Sequence, residues 1–385
     1  VTSLFHHPQK QIDKDTHLIQ WLQLIRTENV GPVTFHQLLE TYGSAENALA
    51  ALPDLAAKGG RKAPLNTPPP ATIKKEIARL HKSSGRYITA ADKSYPLGLS
   101  ALRDAPPVIA VLGNADLLNK PSLAIIGARN ASLNGKKFAA KLARDLGQQD
   151  YIITSGLARG IDTAAHQGAL DTGTIAVVAG GIDVIYPEEN ADLYRSIKDQ
   201  GGLIISEMPA GTKPKAQHFP RRNRIVSGLS KGTIVIEATL KSGSLITARM
   251  AGDQGRDVFA VPGHPADPRA SGPNALIRDG AILTRSADDI IEHLQSFSYS
   301  GLGGGFSDQN QAPVNMISPI SAPAEITDQM RSMVVENLSF HATAVDELIR
   351  TCHLNIGALQ TILLELELAG RIKRLPGNAV IMIEE

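Results

Sequence analysis

Five basic side chains fall within twelve residues, Lys213-Pro-Lys-Ala-Gln-His-Phe-Pro-Arg-Arg-Asn-Arg224, and no acidic residue interrupts them. The whole chain carries 39 Lys+Arg against 38 Asp+Glu, so the cluster is a local choice and not a by-product of a basic composition. Cations this dense can neutralise a run of phosphates, and Phe219 among them offers a face on which a base can stack. The competing source of such a run is a solvated charged loop. Within the run, Lys215, His218, Phe219, Arg221, Arg222, Asn223 and Arg224 are the candidate ligands of a nucleic acid.

Neighbouring motifs favour the phosphate reading. Ile125-Ile-Gly-Ala-Arg-Asn130 ends a predicted strand before a helix starting near Asn134. Gly127 and Ala128 would let the backbone approach a ligand, Arg129 adds a bidentate phosphate partner, and the helix start offers N–H groups. The G-x-G-x-x-G spacing is missing, and no acid stands at the next strand's end to hold a ribose, which counts against a nicotinamide cofactor. Thr154-Ser-Gly-Leu-Ala-Arg-Gly-Ile-Asp162 repeats the design, placing Ser155, Gly156 and Arg159 at the next strand end. Asp162 and His166 stand at i and i+4 on one helix face. They read as a mutually bonded brace that fixes the loop, the alternative being an acid/base pair. Asp183, after Gly180-Gly181, reads as the closer of an Asx turn, with a catalytic carboxylate as the alternative. Tyr186 stacks on a base or packs. Lys241, Ser242, Gly243, Ser244 and Thr247 open a further helix as a phosphate nest. In an open α/β sheet these turns share one rim, and a rim so rich in them suits a polymer better than one small molecule.

The elements that must position these turns follow from periodicity. Residues 1–85 read as a helical domain: Trp21-Leu22-x-Leu24-Ile25 and Phe35-x-x-Leu38-Leu39 have helical spacing on either side of the turn Asn29-Val-Gly-Pro32. That turn resembles a helix-hairpin-helix; a small packing bundle is the reading preferred. Residues 86–295 read as the core. Short apolar runs at Leu123–Gly127, Tyr151–Thr154, Ile175–Ala179, Leu203–Ser206, Ile234–Glu237, Val258–Val261 and Ala281–Leu283 alternate with helical stretches. Tyr87–Ala90 and Val108–Leu112 are expected edge strands. The alternation predicts an α/β fold, a doubly wound and mostly parallel sheet. Residues 296–323 are Gly/Ser/Pro/Gln-rich and read as a linker. Residues 324–385 read as a winged helix: helices at Ile326–Leu338, Ala344–Thr351 and Asn355–Leu368, then a hairpin around Pro376-Gly-Asn378.

Composition excludes several classes. Aromatics are 4% and glycines number 34, which fits parallel α/β layers. The single cysteine, Cys352, rules out an internal disulfide and any multi-cysteine metal site, and reads as an inert helix residue of a reducing compartment. No metal and no cofactor is expected. No run of 18 apolar residues exists and Val1 to Lys14 has no apolar signal region, so a cytoplasmic protein without membrane contact is expected.

The motifs together resemble the DprA/Smf family of DNA-processing proteins. The residues that carry the resemblance are Ile126-Gly-Ala-Arg129, Ser155-Gly-Leu-Ala-Arg-Gly-Ile-Asp-Thr-Ala-Ala-His166, Gly181-Ile-Asp-Val-Ile-Tyr-Pro187, Ser206-Glu207, His218-Phe-Pro-x-Arg-Asn-Arg-Ile225, Ser242-Gly-Ser-Leu-Ile-Thr-Ala248 and Gly255-Arg-Asp-Val-Phe-Ala-Val-Pro-Gly263. The resemblance implies an extended Rossmann-like fold, flanked as in longer members by an N-terminal helical (helix-hairpin-helix or SAM-like) domain and a C-terminal winged helix. It implies single-stranded DNA binding, a homodimer through the core, and protection and delivery of DNA to the RecA recombinase during natural transformation and recombination. It implies no catalysis. Carried over by position, Gly127, Arg129, Ser155, Gly156, Phe219, Arg221, Arg224 and Ser244 would line the DNA groove. This chain departs from the family at Ala128, where Ser is frequent, and at Ala191-Asp192, where some relatives place a basic residue. The enzyme alternative is a nucleotide phosphoribohydrolase of the lysine-decarboxylase-like group. It needs a Gly-Gly-x-Gly-Thr-x-x-Glu loop, and neither Ala179-Gly-Gly-Ile nor Ser242-Gly-Ser-Leu-Ile-Thr supplies the acid at that spacing.

Overall fold

The computed structural model describes residues 14–300, 326–375 and 377–383. The chain divides into two compact units, Val1–Ile73 with Gly305–Glu385, and Lys74–Gly304. The first unit opens with helices α1 (Lys14–Arg26), α2 (Pro32–Tyr42) and α3 (Ala45–Lys58), and α4 (Pro70–Lys82) runs across the division. Pro32 starts α2, and Gly43 ends it at φ +73°, a conformation that favours glycine. Ser44 then caps α3 by accepting from the Asn47 N–H. The apolar residues that predicted these helices, Trp21, Leu22, Leu24, Phe35 and Leu38, are buried together.

The second unit is a nine-stranded sheet. Its elements in chain order are β1 (Arg86–Thr89), α5 (Leu97–Ser100), β2 (Val108–Gly113), β3 (Ser122–Gly127), α6 (Leu133–Gly147), β4 (Ile152–Ser155), α7 (Ile161–Gly168), β5 (Thr174–Val177) and α8 (Ala191–Asp199). There follow β6 (Leu203–Ser206), α9 (His218–Leu229), β7 (Gly232–Ile236), α10 (Gly243–Asp253), β8 (Asp257–Ala260), α11 (Ser271–Arg278), β9 (Ile282–Leu283) and α12 (Ala287–Ser300). The strand order is β1-β2-β6-β5-β4-β3-β7-β8-β9. From β6 to β9 every pairing is parallel, while β2 runs against β6 and β1 against β2. The chain therefore steps outward from β3 to β6, returns along α9, and resumes outward from β7. The order reverses between β3 and β7, and the parallel strands all end on one rim.

Both faces of this sheet are covered, which is why its strands read as unbroken apolar runs. On one face Ile126, Val177, Ile205 and Val235 meet Ile225 and Val226 of α9 and Leu245 of α10. On the other, Leu123, Ile125, Ile153 and Phe259 meet Leu142 and Leu146 of α6, Ala165 of α7 and Ile290 of α12. The predicted strands form at the expected places, with ends shifted by a residue or two; of the two expected edge strands only β1 is an edge, because β2 pairs with β1 on one side and β6 on the other. Helix α12 continues to Ser300, past the expected start of the linker, and the rest of that segment, 301–323, lies outside the described residues.

The tail is a winged helix: α13 (Asp328–Glu336), β10 (Thr343–Ala344), α14 (Val345–Cys352), α15 (Ile356–Leu368), β11 (Ile372–Leu375) and β12 (Ala379–Met382). Its antiparallel sheet is ordered β10-β12-β11. Asn355 caps α15 by accepting from the Ala358 N–H at 2.7 Å. β10, two residues long, is too short to leave a period in the sequence. Cys352 is buried in this module's core, and burial pushes its thiol pKa up. Among the described residues no helix is long and apolar enough to cross a membrane.

Candidate nucleic-acid interface

β3, β4 and β5 end side by side, and α9 begins over the same rim. A cleft opens there, lined by Arg129 after β3, Gly156 to Arg159 after β4, Val178 to Gly180 after β5, Tyr186 and Pro187 beyond them, and Pro214, Phe219 and Arg222 from α9 and its approach. Five of the predicted site residues thus meet in one place: Arg129, Gly156, Arg159, Phe219 and Arg222. The Arg129 guanidinium carbon lies 5.3 Å from the centre of the Phe219 ring, and the Tyr186 ring meets Phe219 edge-on at 6.0 Å. Tyr186 is 49% exposed, and its ring is the aromatic face that the sequence left between stacking and packing. Arg129, Lys213, Lys215 and Arg221 are exposed and have no carboxylate partner among the described residues. Arg159 has only an exposed ion pair with Glu189 at 3.4 Å, an arrangement worth about 0–1 kcal/mol and readily exchanged for a phosphate.

Two of the five cations of the basic run turn inward. Arg222 is 6% exposed and donates from Nη1 to the Val177 carbonyl at 3.1 Å; it makes no direct ion pair among the described residues, but its charge is near enough to act on the Asp162 carboxyl. Gly156 is required above it, because a Cβ there would fall 1.4 Å from Arg222 Nη1. Arg224 is 7% exposed, bonds Glu207, and donates to the Asp104 carbonyl at 2.6 Å. His218 is buried and accepts the Lys215 N–H at Nδ1. Ser155 is buried with its hydroxyl donating to the Ile125 carbonyl at 2.6 Å, and Thr247 is buried in α10. Against the expectation from sequence, then, Ser155, His218, Arg222, Arg224 and Thr247 build the rim from inside and do not face solvent. Asn223 is half-buried beside them.

Two glycine-turn expectations also change. Gly127 is needed for packing: a Cβ would lie 1.9 Å from the Ile236 carbonyl oxygen and against Ile161. Beside it, Ala128 is engaged through its backbone, its N–H donating to the Glu237 carbonyl and its carbonyl accepting from Ile161 N–H. The start of α6 is already occupied. The Glu237 carboxylate accepts from the Ser132 N–H at 2.7 Å and from the Ser132 hydroxyl, and Ser132 in turn accepts from the Gly135 N–H. An internal carboxylate sits where a bound phosphate would, at the point where strand order reverses. The sequence reading missed Glu237; its trace is a strand-end acid in a position that needs φ +50°. At the end of β7, Lys241 and Gly243 are exposed, while the Ser242 and Ser244 hydroxyls bond each other at 2.8 Å. None of 241–247 lines the cleft, so that stretch is a separate place on the same rim.

The expected Asp162–His166 pair is not formed. Asp162 accepts from the Gly156 and Ala158 N–H groups at 3.1 and 3.3 Å, and so orders the β4–α7 loop with Arg222 as its counter-charge. His166 turns to the Thr174 hydroxyl, 2.7 Å from Nδ1. Helical spacing allowed the pair, but the strand ends give each side chain a nearer partner. Asp183 was expected to close a turn in its own loop. It reaches across instead, accepting from the Gly211 N–H and from Arg79 Nε, both at 2.5 Å.

Burial, with the Arg222 charge adding to it, lowers the His166 pKa from 6.5 to about 3. Between those values the unfolded chain binds a proton that the folded chain refuses, so this stability is complete above pH 6.5 and is lost as pH falls. The slope is about 1.4 kcal/mol per pH unit. Urea unfolding at pH 7 and pH 5 is therefore expected to cost the natural chain about 2 kcal/mol more than His166→Gln, which cannot titrate. Equal losses in the two proteins would contradict a buried neutral imidazole.

Comparison with known proteins agrees with this fold. Residues 86–295 match the family model of DNA recombination-mediator protein A, residues 15–78 that of the DprA-like N-terminal HHH domain, and residues 318–378 that of the DprA winged helix domain. The chain is 38% identical to Protein Smf of Escherichia coli K12 over 314 residues, covering 81% of both chains. It is 32% identical to Protein Smf of Synechocystis, covering 93% of this chain and 96% of the relative. Among solved structures, DNA processing protein A from Streptococcus pneumoniae matches at 36% identity with a TM-score of 0.60, over 74% of this chain and 98% of that one. DNA processing protein A from Helicobacter pylori, described for its single-stranded DNA binding mode, matches at 32% identity with a TM-score of 0.50, over 56% of this chain and 98% of that one. A core, a helical domain and a winged helix that each match the same family, on a rim built from the motifs read in the sequence, place this chain in the DprA/Smf family of DNA-processing proteins.

Proposed function

We propose that this chain binds single-stranded DNA along the rim of its core sheet, with little sequence preference and without catalysing a reaction. The observation that carries this is the contiguous surface of Arg129, Phe219 and Tyr186, flanked by the exposed cations Arg159, Lys213, Lys215 and Arg221. Aromatic faces stack any base, and unpaired cations take any phosphate. Lys241 to Ser244 extend the track beyond β7. The Helicobacter relative has a single-stranded DNA binding mode, which supports the same ligand here. The acids at the rim, Asp162 and Asp183, and the imidazole of His166, buried against the start of β5, are held by internal bonds, which supports a binding role over an acid/base one. In this reading the protein covers incoming single strands and passes them to a RecA-type recombinase during DNA uptake and recombination, as a cytoplasmic homodimer joined through its core. Stimulation of RecA filament growth on coated single strands, and the mass of the particle in solution, are the corresponding assays.

Placing the site in the core has a direct consequence. A chain ending at Pro313 is expected to keep single-stranded DNA affinity within about threefold, because a loss below 1 kcal/mol is all that minor backbone contacts would supply. Loss of binding by a shortened chain whose core still melts cooperatively would put the site in the wrong unit.

A further inference from the structure

The unit formed by Val1–Ile73 and Gly305–Glu385 contains two parts whose motifs resemble nucleic-acid-binding elements, although the sequence favours a packing role for the first and offers the second no Lys or Arg. One is the hairpin Asn29-Val-Gly-Pro32 between α1 and α2. The other is α15, the third helix of the winged helix, which such modules present to a major groove. In the structure these two parts meet each other. α15 packs on α3 so closely that a Cβ on Gly59 would lie 2.0 Å from the Glu365 carbonyl oxygen and 2.8 Å from Ala369 Cβ. Gly59 has an ordinary backbone, φ −71° and ψ −4°, so α15 excludes a side chain there and local strain does not. From the hairpin, Asn29 Nδ2 donates to the Leu368 carbonyl at 3.2 Å. From α2, Thr34 Oγ1 donates to Glu367 at 3.0 Å and Gln37 Nε2 to Gln360 at 3.2 Å. Arg374 of the wing closes the cluster, donating to Glu367, Gln360 and Gln37 at 3.0, 3.1 and 3.2 Å.

A helix that reads a groove keeps one polar face in water. α15 buries the consecutive residues Ile362 to Leu366, which spans every side of the helix. It has no Lys or Arg, and it carries Glu365 and Glu367, charges that repel phosphate. Its best base-reading side chain, Gln360, and the nearby wing cation Arg374 are both committed to internal bonds. We propose that α15 is a docking helix. It joins the winged helix to the N-terminal helical domain as one folded unit in place of reading duplex DNA, and the same contact closes the Asn29 hairpin.

Hydrogen–deuterium exchange on the full chain tests this, with Gly59→Leu as a wedge, Thr34→Glu as a carboxylate set against Glu367, and Thr34→Glu with Glu367→Gln as the rescue. Both single variants are expected to speed exchange across residues 359–366 and in α3 by about tenfold or more, the usual scale for an overpacked contact. Exchange in residues 86–295 and single-stranded DNA affinity should not change. The rescue should restore protection of α15, which only direct contact predicts. If Gly59→Leu fails to fold, the Thr34 pair decides alone. Unchanged α15 exchange in Thr34→Glu, or duplex binding by the natural chain that weakens in Gln360→Ala, would overturn the proposal.

Discussion

Replacing Arg222 by alanine is expected to destabilise the core by about 3–5 kcal/mol, the usual cost of leaving a buried charge uncompensated. The reason is Asp162. Its carboxylate is buried, and burial pushes its pKa up while the Arg222 charge opposes that shift. Without the guanidinium, an isolated charge is left under the β4–α7 loop, and the Val177 carbonyl loses its donor. For a core of this size the melting temperature should fall by roughly 10 °C. Arg222→Met combined with Asp162→Asn removes both charges yet leaves an acceptor for the Gly156 and Ala158 N–H groups, and it should recover most of the loss. Thermal melts of the three proteins check this. A variant Arg222→Ala that melts like the natural chain but loses DNA would return Arg222 to the ligand side, where the sequence alone had placed it.

The second large effect belongs to the exposed part of the cluster. Arg129→Ala removes a charge-assisted phosphate bond, worth about 1.5–3 kcal/mol. Phe219→Ala removes a stacking face, worth about 1–3 kcal/mol per base. Each single variant should therefore bind single-stranded DNA about tenfold more weakly or worse, and the loss in the double variant should depart from the product of the two single losses. The two side chains touch, at 5.3 Å, so their effects should not add and the cycle should reveal coupling. Their contact contributes only about 0.5–1 kcal/mol to folding, so melting curves should barely move. Fluorescence anisotropy with a labelled oligonucleotide reads the affinities, and unchanged values with intact melts would remove this pair from the site.

The two variants separate what could and could not be read from the chain. The parallel strands were legible because both their faces are buried, so each appears as a short β-branched run with a glycine turn behind it. The winged helix was legible from its capped helical periods. The direction of each basic side chain was not taken from the sequence, although a signal was present. Once a helix starts at His218, Arg222 lies on the apolar stripe of Ile225, Val226 and Leu229 at i+3, i+4 and i+7, while Arg221 points away from it. The start itself is obscure, because Gln217 makes no capping bond. Other features leave no local trace at all. Glu237 caps a helix 105 residues earlier in the chain, Asp183 reaches Arg79, and α15 docks on a helix about three hundred residues away. Spacing alone suggested that Asp162 would hold His166. The neighbouring strand ends, known only from the fold, decide otherwise.

The most direct test of the central claim is the salt dependence of single-stranded DNA binding. If the rim neutralises phosphates with Arg129, Arg159, Lys213, Lys215 and Arg221, the logarithm of the affinity should fall linearly with log salt. Five single-strand contacts at about −0.7 each give a slope near −3.5. Arg129→Ala should make that slope shallower by about 0.7, and oligonucleotides of different sequence should share it. An affinity that does not change with salt, or a slope untouched by Arg129→Ala, would contradict a phosphate track along this rim.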